Sequence, residues 1–249
     1  MVKSTTPRVR FPAEWTRGGA REWDGEMKTI AVIGLKGGSS KSTVALHLAV
    51  CAEAAGLAVA VIDSDPQASA HKWFERREVE TPSIIREIDG DAFTKLQSIA
   101  HKNGTDLLII DTAGKAESTA LAACEIADMV LVPVRPTQFD LETLSTVKRT
   151  VRIAERTSVT WVMLSQVPTG SNAGRMIEEG EAAIQAYGLN LAPVRIATRA
   201  SYAYAMSAGQ TATEFEPRGK AALEAGAVYQ WVSGLVGCAA KPTRELVDA

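Results

Sequence analysis

The sequence has few of the residues that build metal, redox or membrane-spanning structures. It contains three cysteines and three histidines among 249 residues. The separation of Cys51, Cys124 and Cys238 fits neither a metal-ligand set nor a redox pair, so we expect small buried side chains in a reducing compartment. No apolar run approaches the roughly 18 residues that a membrane-spanning helix needs. These absences argue against a zinc protein, a disulfide scaffold and an integral membrane protein.

An excess of charge of one sign is also missing, because the net charge is only −2. Any nucleic-acid binding must therefore come from a local basic patch rather than from the field of the whole molecule. The first residues carry Lys3, Arg8 and Arg10 and lack the apolar core of a signal peptide, so we expect a cytoplasmic protein. Apolar residues make up 46% of the chain and charged residues 22%, the proportions of a globular protein with one substantial core.

Short apolar runs alternate with longer helical stretches from Lys28 onward. The most apolar runs lack polar alternation, which is typical of strands buried on both faces of a parallel sheet. We predict strands at 29–34, 59–63, 83–88, 106–112, 129–134, 159–165 and 191–196. We predict helices at 41–55, 67–79, 91–102, 117–126, 140–156, 173–187 and 217–236, with Gly56 ending the first and Asp140 capping the fifth.

This alternation predicts an α/β fold, a single doubly wound, mostly parallel sheet with helices on both faces. We divide the chain into an irregular N-terminal arm at 1–27, one domain at 28–238 and a C-terminal tail at 239–249. No internal repeat and no second folding unit is evident in the pattern.

A glycine- and serine-rich segment from Gly34 to Thr43 lies between the first predicted strand and the first predicted helix. Backbone N–H groups of such a loop can surround phosphate oxygens, and the helix directs its positive N-terminus at them. Lys41 would supply charge to the outer phosphates and the Ser42 hydroxyl would reach Mg²⁺. Ser40 stands where the strict phosphate-loop pattern has glycine, and its hydroxyl either loosens the loop or adds a donor. The predicted nucleotide-binding set in this loop is Gly37, Gly38, Ser39, Ser40, Lys41, Ser42 and Thr43.

Carboxylates end two of the buried strands downstream. Asp63 and Asp65 follow the second strand, and Asp111 ends the strand at 106–112. Each one alone is also compatible with an ordinary strand-ending turn. Together with a phosphate loop after a third strand, they indicate a magnesium–nucleotide site at the carboxyl edge of the sheet.

At these residues the sequence resembles the ParA/MinD group of P-loop ATPases, over residues 28–236. The most specific element is Lys36 in the run Lys-Gly-Gly-Ser-Ser-Lys-Ser-Thr, which is similar to the deviant Walker A motif of that group. The resemblance implies a P-loop NTPase fold, ATP and Mg²⁺ as cofactors, and ATP hydrolysis with Lys36, Lys41 and Asp65 as catalytic residues. In this scheme Lys36 reaches the phosphates of a second subunit, and Asp65 positions the attacking water. The implied Mg²⁺ ligands are Ser42, Asp63 and Asp111.

The resemblance is closest to the small, type Ib partition ATPases, because only a short segment precedes the first strand. It implies a homodimer formed on ATP binding, nonspecific DNA binding, nucleoid association in the ATP form and a ParB-like or centromere-binding adaptor protein. The C-terminal residues lack a basic amphipathic helix, so no membrane attachment is expected. Gln166 and Pro168 follow a strand where relatives bind adenine, which makes them candidate base contacts.

Three basic regions are candidates for the DNA-binding patch. The first is a stripe on the helix predicted at 140–156, the second follows the last predicted strand, and the third is the N-terminal arm. The residues are Lys148, Arg149, Arg152 and Arg156 in the stripe and Arg195 and Arg199 in the second region. An ordinary solvated helix face is the alternative for the stripe.

Two other functions stay open. One is a nucleotide-dependent scaffold that positions a protein cargo without binding DNA. The other is a P-loop metabolic enzyme, which would need a further substrate pocket and would leave Lys36 unexplained. ATP-dependent retention on nonspecific DNA separates plasmid or chromosome partition from both.

Overall fold

The computed structural model of the protein describes residues 25–114, 116–171 and 173–238. The predicted arm up to residue 24 and the predicted tail from residue 239 lie outside the described residues. Seven parallel strands form one sheet in the described chain, in the order β3-β2-β4-β1-β5-β6-β7. They are β1 (Lys28–Val32), β2 (Val59–Asp63), β3 (Ser83–Arg86), β4 (Leu107–Asp111), β5 (Met129–Val134), β6 (Thr160–Leu164) and β7 (Asn190–Leu191).

Helices connect the strands and cover both faces of the sheet. They are α1 (Lys41–Ala54), α2 (Ser69–Phe74), α3 (Phe93–Lys102), α4 (Glu117–Glu125), α5 (Gln138–Leu141), α6 (Leu144–Ile153), α7 (Ala173–Ala186), α8 (Ala200–Ser207), α9 (Ala212–Phe215) and α10 (Lys220–Val236). The predicted doubly wound α/β fold is therefore confirmed, and the sheet of the described residues is parallel throughout.

The strands alternate their side chains between two separate apolar cores. One core joins Ile30, Val61 and Leu131 to residues of α1 and α10, including Leu48 and Val228. The other core joins the intervening strand residues, such as Ala31 and Ile62, to α3, α4, α6 and α7. Because β2, β4 and β5 are buried at every position, their continuous apolar sequences match their place in the middle of a two-sided sheet.

The register of the central strands gathers the acidic residues at one edge. Asp111 at the end of β4 lies beside Val32 of β1 on one side and beside Asp63 of β2 on the other. The chain leaves β1 at this edge and enters the loop that leads to α1. Parallel pairing thus places two carboxylates next to the start of the glycine-rich loop.

Several predicted boundaries are wrong. The helix expected at 140–156 is two helices, α5 and α6, separated by a turn at Glu142 and Thr143. Asp140 lies inside α5, where its carboxylate accepts hydrogen bonds from Arg135 and Thr137 instead of capping the following helix. The helix expected at 67–79 ends at Phe74. By contrast, Gly56 adopts a φ of 91° one residue beyond the C-cap Ala55 of α1, as expected of a helix-ending glycine.

The segment after α7 departs most from prediction. The strand expected at 191–196 shrinks to the two residues of β7, because only Asn190 and Leu191 pair with β6. Helices α8 and α9 were not predicted at all. Helix α8 has apolar residues on most sides and no clear amphipathic period, so its sequence gives little helical signal.

Candidate functional site

The glycine-rich loop wraps around the N-terminus of α1. Gly38 has a φ of 78°, a left-handed conformation that glycine adopts without steric cost. The Nζ of Lys41 donates to the carbonyl oxygen of Lys36 at 3.1 Å, and the Ser39 hydroxyl donates to the same oxygen at 3.3 Å. A Cβ on Gly114 would lie 3.0 Å from the backbone nitrogen of Gly37, so the segment after β4 packs directly on the loop. The loop is held in a turned shape that leaves the helix N-terminus open.

Lys41 is the charged residue at the base of this loop. Only 6% of its surface is exposed, and burial lowers its pKa below the ordinary value. The nearby carboxylates of Asp111 and Asp65 raise the pKa and partly offset the effect of burial, because negative charges stabilise the charged ammonium. A buried ammonium with acidic neighbours at a helix N-terminus is suited to an anionic ligand.

Asp111 is fully buried, and neither of its side-chain oxygens has a hydrogen-bond partner within the described part of the chain. Burial raises its pKa to about 7. The Ser42 hydroxyl, which is near but does not form a hydrogen bond of good geometry, opposes this rise together with the Lys41 ammonium, and the nearby carboxylate of Asp63 adds to it. Leaving a carboxylate buried and unpaired is costly, and a cation beside it would remove that cost. These two oxygens therefore fit the divalent ion that the sequence implies.

The other two acidic residues have different surroundings. The carboxylate of Asp63 accepts backbone N–H bonds from Asp65 at 3.2 Å and His71 at 2.8 Å, so it shapes the turn between β2 and α2. Burial raises its pKa, and those N–H bonds oppose the rise. Asp65 is partly exposed, and one of its oxygens accepts the N–H of Gln67 at 2.8 Å. Asp65 thus faces the solvent side of the site and Asp63 its protein side.

Lys36 lies on the outer side of the loop. Its Nζ is 3.6 Å from a carboxylate oxygen of Asp140 and 5.6 Å from the ring centroid of Phe139. Asp140 is held in addition by the Arg135 guanidinium, with two contacts of 3.1 Å, and by Thr137. Burial would raise the pKa of Asp140, but Thr137 and Arg135 outweigh it and lower the pKa. Phe139 itself is 73% exposed.

An open cleft of about 440 Å³ lies against the loop. It brings together most of the predicted nucleotide-binding residues, namely Gly37, Gly38, Ser40, Lys41, Ser42, Thr43 and Gln166, and it also includes the predicted catalytic residue Asp65. Ser39 is buried within the loop, and Asp63 and Asp111 lie behind the cleft at the strand ends. Lys36 and Pro168 are not among the residues that line it.

The opposite wall of the cleft was missed by the sequence analysis. It consists of Ile196, Ala197, Thr198, Arg199, Tyr202, Ala203 and Met206, with Ser69 from α2. Apart from Ser69, these residues lie in the segment after β7, four of them before α8 and three within it. No local motif marks them, although the chemistry of Arg199 could have suggested a phosphate or ribose contact.

Three of the six predicted DNA-binding residues in the two described basic regions form ion pairs. Arg149 lies 2.6 Å from a carboxylate oxygen of Glu117, and Arg195 lies 3.2 Å from one of Glu181. Arg199 faces the cleft and donates to Glu224, with its Nε at 2.9 Å. These contacts reduce the positive charge available to an external polyanion.

The stripe on α6 is shorter than predicted. Lys148 and Arg152 are exposed and four residues apart on this helix. Helix α6 ends at Ile153, and Arg156 beyond it donates to the carbonyl oxygens of Ala127 and Glu125 at 3.1 and 2.7 Å. The expected continuation of the stripe to Arg156 is wrong, because its guanidinium closes the end of α4.

A parallel α/β sheet, a phosphate loop after its central strand and an acidic strand end beside it define a P-loop nucleotide-binding protein. Residues 30–212 match the CobQ/CobB/MinD/ParA nucleotide binding domain. The chain belongs to this family, which confirms the predicted ParA/MinD resemblance.

Curated relatives agree with this assignment. The chain is 32% identical over 213 residues to the maintenance of carboxysome distribution protein A of Gloeobacter kilaueensis, covering 83% of this chain and 92% of that protein. It is 30% identical over 115 residues to protein ParA of Rhizobium radiobacter, covering 46% of this chain and 51% of that protein.

Solved structures have the same fold at lower identity. MinD of Pyrococcus horikoshii complexed with Mg-ADP superposes with a TM-score of 0.70 at 18% identity, covering 87% of this chain and 100% of that one. A ParA family ATPase from Chlorobium tepidum superposes with a TM-score of 0.61 at 14% identity, covering 83% of this chain and 98% of that one.

Among the helices of the described residues, none combines the length and apolar character that crossing a bilayer requires.

Proposed function

We propose that this protein is a ParA-like positioning ATPase that binds Mg²⁺-ATP, dimerises around the nucleotide and is reset by hydrolysis. The proposal rests mainly on the buried carboxylate of Asp111, which has no hydrogen-bond partner among the described residues. It lies behind the cleft that the phosphate loop and Lys41 line. Buried ionisable groups with shifted pKa values beside a cleft are concentrated at functional sites.

The metal would be held by Asp111 and the Ser42 hydroxyl together with oxygens of the nucleotide, with Asp63 next to them. Within the described residues no group of three or more His, Cys, Asp or Glu side chains could hold a metal ion by itself. This suits Mg²⁺, which is commonly held by one or two protein oxygens and the phosphates of its substrate. When bound, the ion neutralises charge on the phosphate oxygens.

For hydrolysis, we propose that the carboxylate of Asp65 positions the attacking water molecule. It lines the cleft, and it is the most exposed of the three strand-end carboxylates. Its carboxylate accepts only one backbone N–H among the hydrogen bonds of the described residues, which leaves acceptor capacity for a water molecule. Lys41 would hold the outer phosphates during this step.

Lys36 and the residues around it support dimerisation around the nucleotide. In the single chain Lys36 lies near Asp140 and Phe139, outside the lining of its own cleft. This location supports the assignment of Lys36 to the phosphates of a second subunit. The exposed ring of Phe139 would become covered when two copies face each other across their nucleotides.

For the cargo, we propose DNA partition with nonspecific DNA as the track and a ParB-like adaptor as the partner. Lys148 and Arg152 on α6 are the exposed basic residues that support it. The alternative is positioning of a protein body without DNA affinity. The names of the relatives, which include proteins for carboxysome distribution and protein ParA, support a positioning ATPase under either alternative.

The test measures mass by light scattering with ATP, with ADP and without nucleotide, followed by retention on nonspecific duplex DNA. We expect a dimer with ATP alone, and DNA retention of that dimer. A dimer without DNA affinity at low salt would select the protein-cargo alternative. A monomer under all conditions would contradict the ATP-driven cycle itself.

A further inference from the structure

Two non-glycine residues with left-handed backbone conformations face each other across the edge of the nucleotide cleft. Ser40 has a φ of 70° and Gln166 a φ of 50°. L-residues rarely adopt this conformation because the Cβ approaches the backbone too closely, and it persists only where the surroundings fix it. Ser40 ends the phosphate loop, and Gln166 follows β6, so the two residues are far apart in sequence.

The Gln166 side chain connects these two backbone positions. Its Nε2 donates to the carbonyl oxygen of Gly38 at 2.6 Å and to the hydroxyl oxygen of Ser40 at 2.8 Å. A carbonyl oxygen can only accept, so the amide nitrogen must face the loop. Both N–H groups of the amide are then used by the phosphate loop.

The backbone of Gln166 is itself held by a second hydrogen bond. The Thr198 hydroxyl donates to the carbonyl oxygen of Gln166 at 3.0 Å, and the neighbouring Ser165 hydroxyl donates to the carbonyl oxygen of Ser39 at 3.0 Å. The segment at the end of β6 is thus fastened both to the phosphate loop and to the chain that leads into α8. A loop fastened in this way keeps its N–H groups aimed at one place.

We propose that Ser40 and Gln166 form a latch that holds the phosphate loop in its anion-binding shape, which makes both of them positioning residues for nucleotide binding. The proposal rests on the nucleotide-binding function proposed above and revises the expected role of Gln166 as a base contact. Glycine at position 40 could not join the latch, because it lacks the hydroxyl that accepts the second amide hydrogen.

The first test is a double-mutant cycle on Mg²⁺-ATP affinity with Ser40→Gly and Gln166→Met. Glycine removes the hydroxyl without backbone strain, and methionine keeps the length of glutamine without its donors. We expect Gln166→Met to weaken binding about tenfold in the wild-type background, where two hydrogen bonds are lost. In the Ser40→Gly background it should weaken binding only about threefold. Equal factors in the two backgrounds would overturn the latch.

The second test separates a latch from a base contact by using Mg²⁺-tripolyphosphate, which has no base. A latch predicts that Gln166→Met weakens tripolyphosphate and ATP binding by the same factor. Weakening of ATP binding alone would show that Gln166 contacts adenine and would overturn the proposal. A lower melting temperature with both affinities unchanged would show a role in fold stability alone and would also overturn the proposal.

The controls are chosen within the same chain. Gln185→Met changes an exposed glutamine on α7 and should alter neither affinity. Lys41→Ala should remove binding of both ligands. If the wild-type protein binds neither ligand, the proposed nucleotide function fails together with the latch. If it binds both but the cycle shows no coupling, only the latch fails.

Discussion

At the scale of single residues, the site contains ionisable side chains whose burial lowers the stability of the fold. Asp111 is fully buried without a partner in the described chain, and its pKa is raised to about 7. Lys41 is buried close by with a lowered pKa. A folded protein tolerates such groups where a ligand satisfies them, and in the proposed function a magnesium nucleotide would neutralise both residues.

Replacement of Lys41 tests this directly. We expect Lys41→Ala to lose ATP binding by at least about a hundredfold, because no other ammonium lies at the base of the loop among the described residues. The measurement is fluorescent-nucleotide titration with and without Mg²⁺. Affinity within about threefold of wild type would refute the site, provided that circular dichroism shows a folded variant.

Asp65→Ala should separate hydrolysis from binding. Asp65 lines the cleft without contacting the loop in the described hydrogen bonds, so its loss should leave ATP affinity within about threefold of wild type. Turnover should fall by a factor of about a hundred or more, as for loss of a water-positioning group. The assay is phosphate release at saturating ATP. An unchanged rate would reassign the water to another residue.

At the scale of elements, α1 links the phosphate loop to the C-terminal helices. His47 on α1 is fully buried, with its Nδ1 2.7 Å from the carbonyl oxygen of Thr43. Its Nε2 accepts the N–H of Ala212 in α9 at 2.8 Å. This arrangement requires a neutral ring with the proton on Nδ1, because a proton on Nε2 would repel the Ala212 N–H.

Stability should therefore depend on pH through His47. Burial lowers its pKa from 6.5 to about 4, and the nearby Glu214 only partly opposes this. The unfolded chain takes up the proton first, so the stabilisation is complete above pH 6.5 and is lost as pH falls towards 4. By pH 5 the loss is about 2 kcal/mol.

The measurement is urea unfolding of the wild type and His47→Gln between pH 7.5 and 5. We expect the variant to be less stable at pH 7.5, and the difference between the two proteins to shrink as pH falls. Other groups that titrate in this range act on both proteins alike. A difference that stays constant with pH would mean that His47 does not titrate as described.

At the scale of the whole molecule, the proposed function depends on a second copy of the chain. Lys36→Ala should keep ATP binding within about tenfold of wild type but abolish the ATP-dependent dimer, since its proposed target lies on the partner. In mixed dimers of wild-type and variant chains, only the site that faces an intact Lys36 should hydrolyse ATP. Equal turnover at both sites would show that Lys36 acts within its own subunit.

DNA binding should also appear only in the dimer, where two copies of a weak patch act together. For ATP-bound Asp65→Ala, we expect Lys148→Ala with Arg152→Ala to weaken duplex binding and reduce the salt slope by about 0.9 for each lost phosphate contact. A matched control removes two exposed charges elsewhere, Lys95→Ala with Lys102→Ala on α3. Equal effects of the two pairs would show that overall charge, not the α6 patch, governs binding.

The sequence by itself determined the centre of this protein. Continuous apolar runs identified β2, β4 and β5, because strands buried on both faces need no polar alternation. The phosphate loop and the acidic strand ends were also local features, so their meeting at one edge followed from parallel pairing alone. The register of Asp63 and Asp111 confirms that inference.

Only the tertiary structure decided what surrounds this centre. The cleft wall formed by residues 196–206, the pairing of Arg199 with Glu224 and the contact of Gln166 with Ser40 all join residues distant in sequence. Such contacts depend on how helices and loops pack, and a basic side chain looks the same in sequence whether or not a carboxylate lies beside it. The sequence shows which groups are present, and packing decides which of them remain available to a ligand.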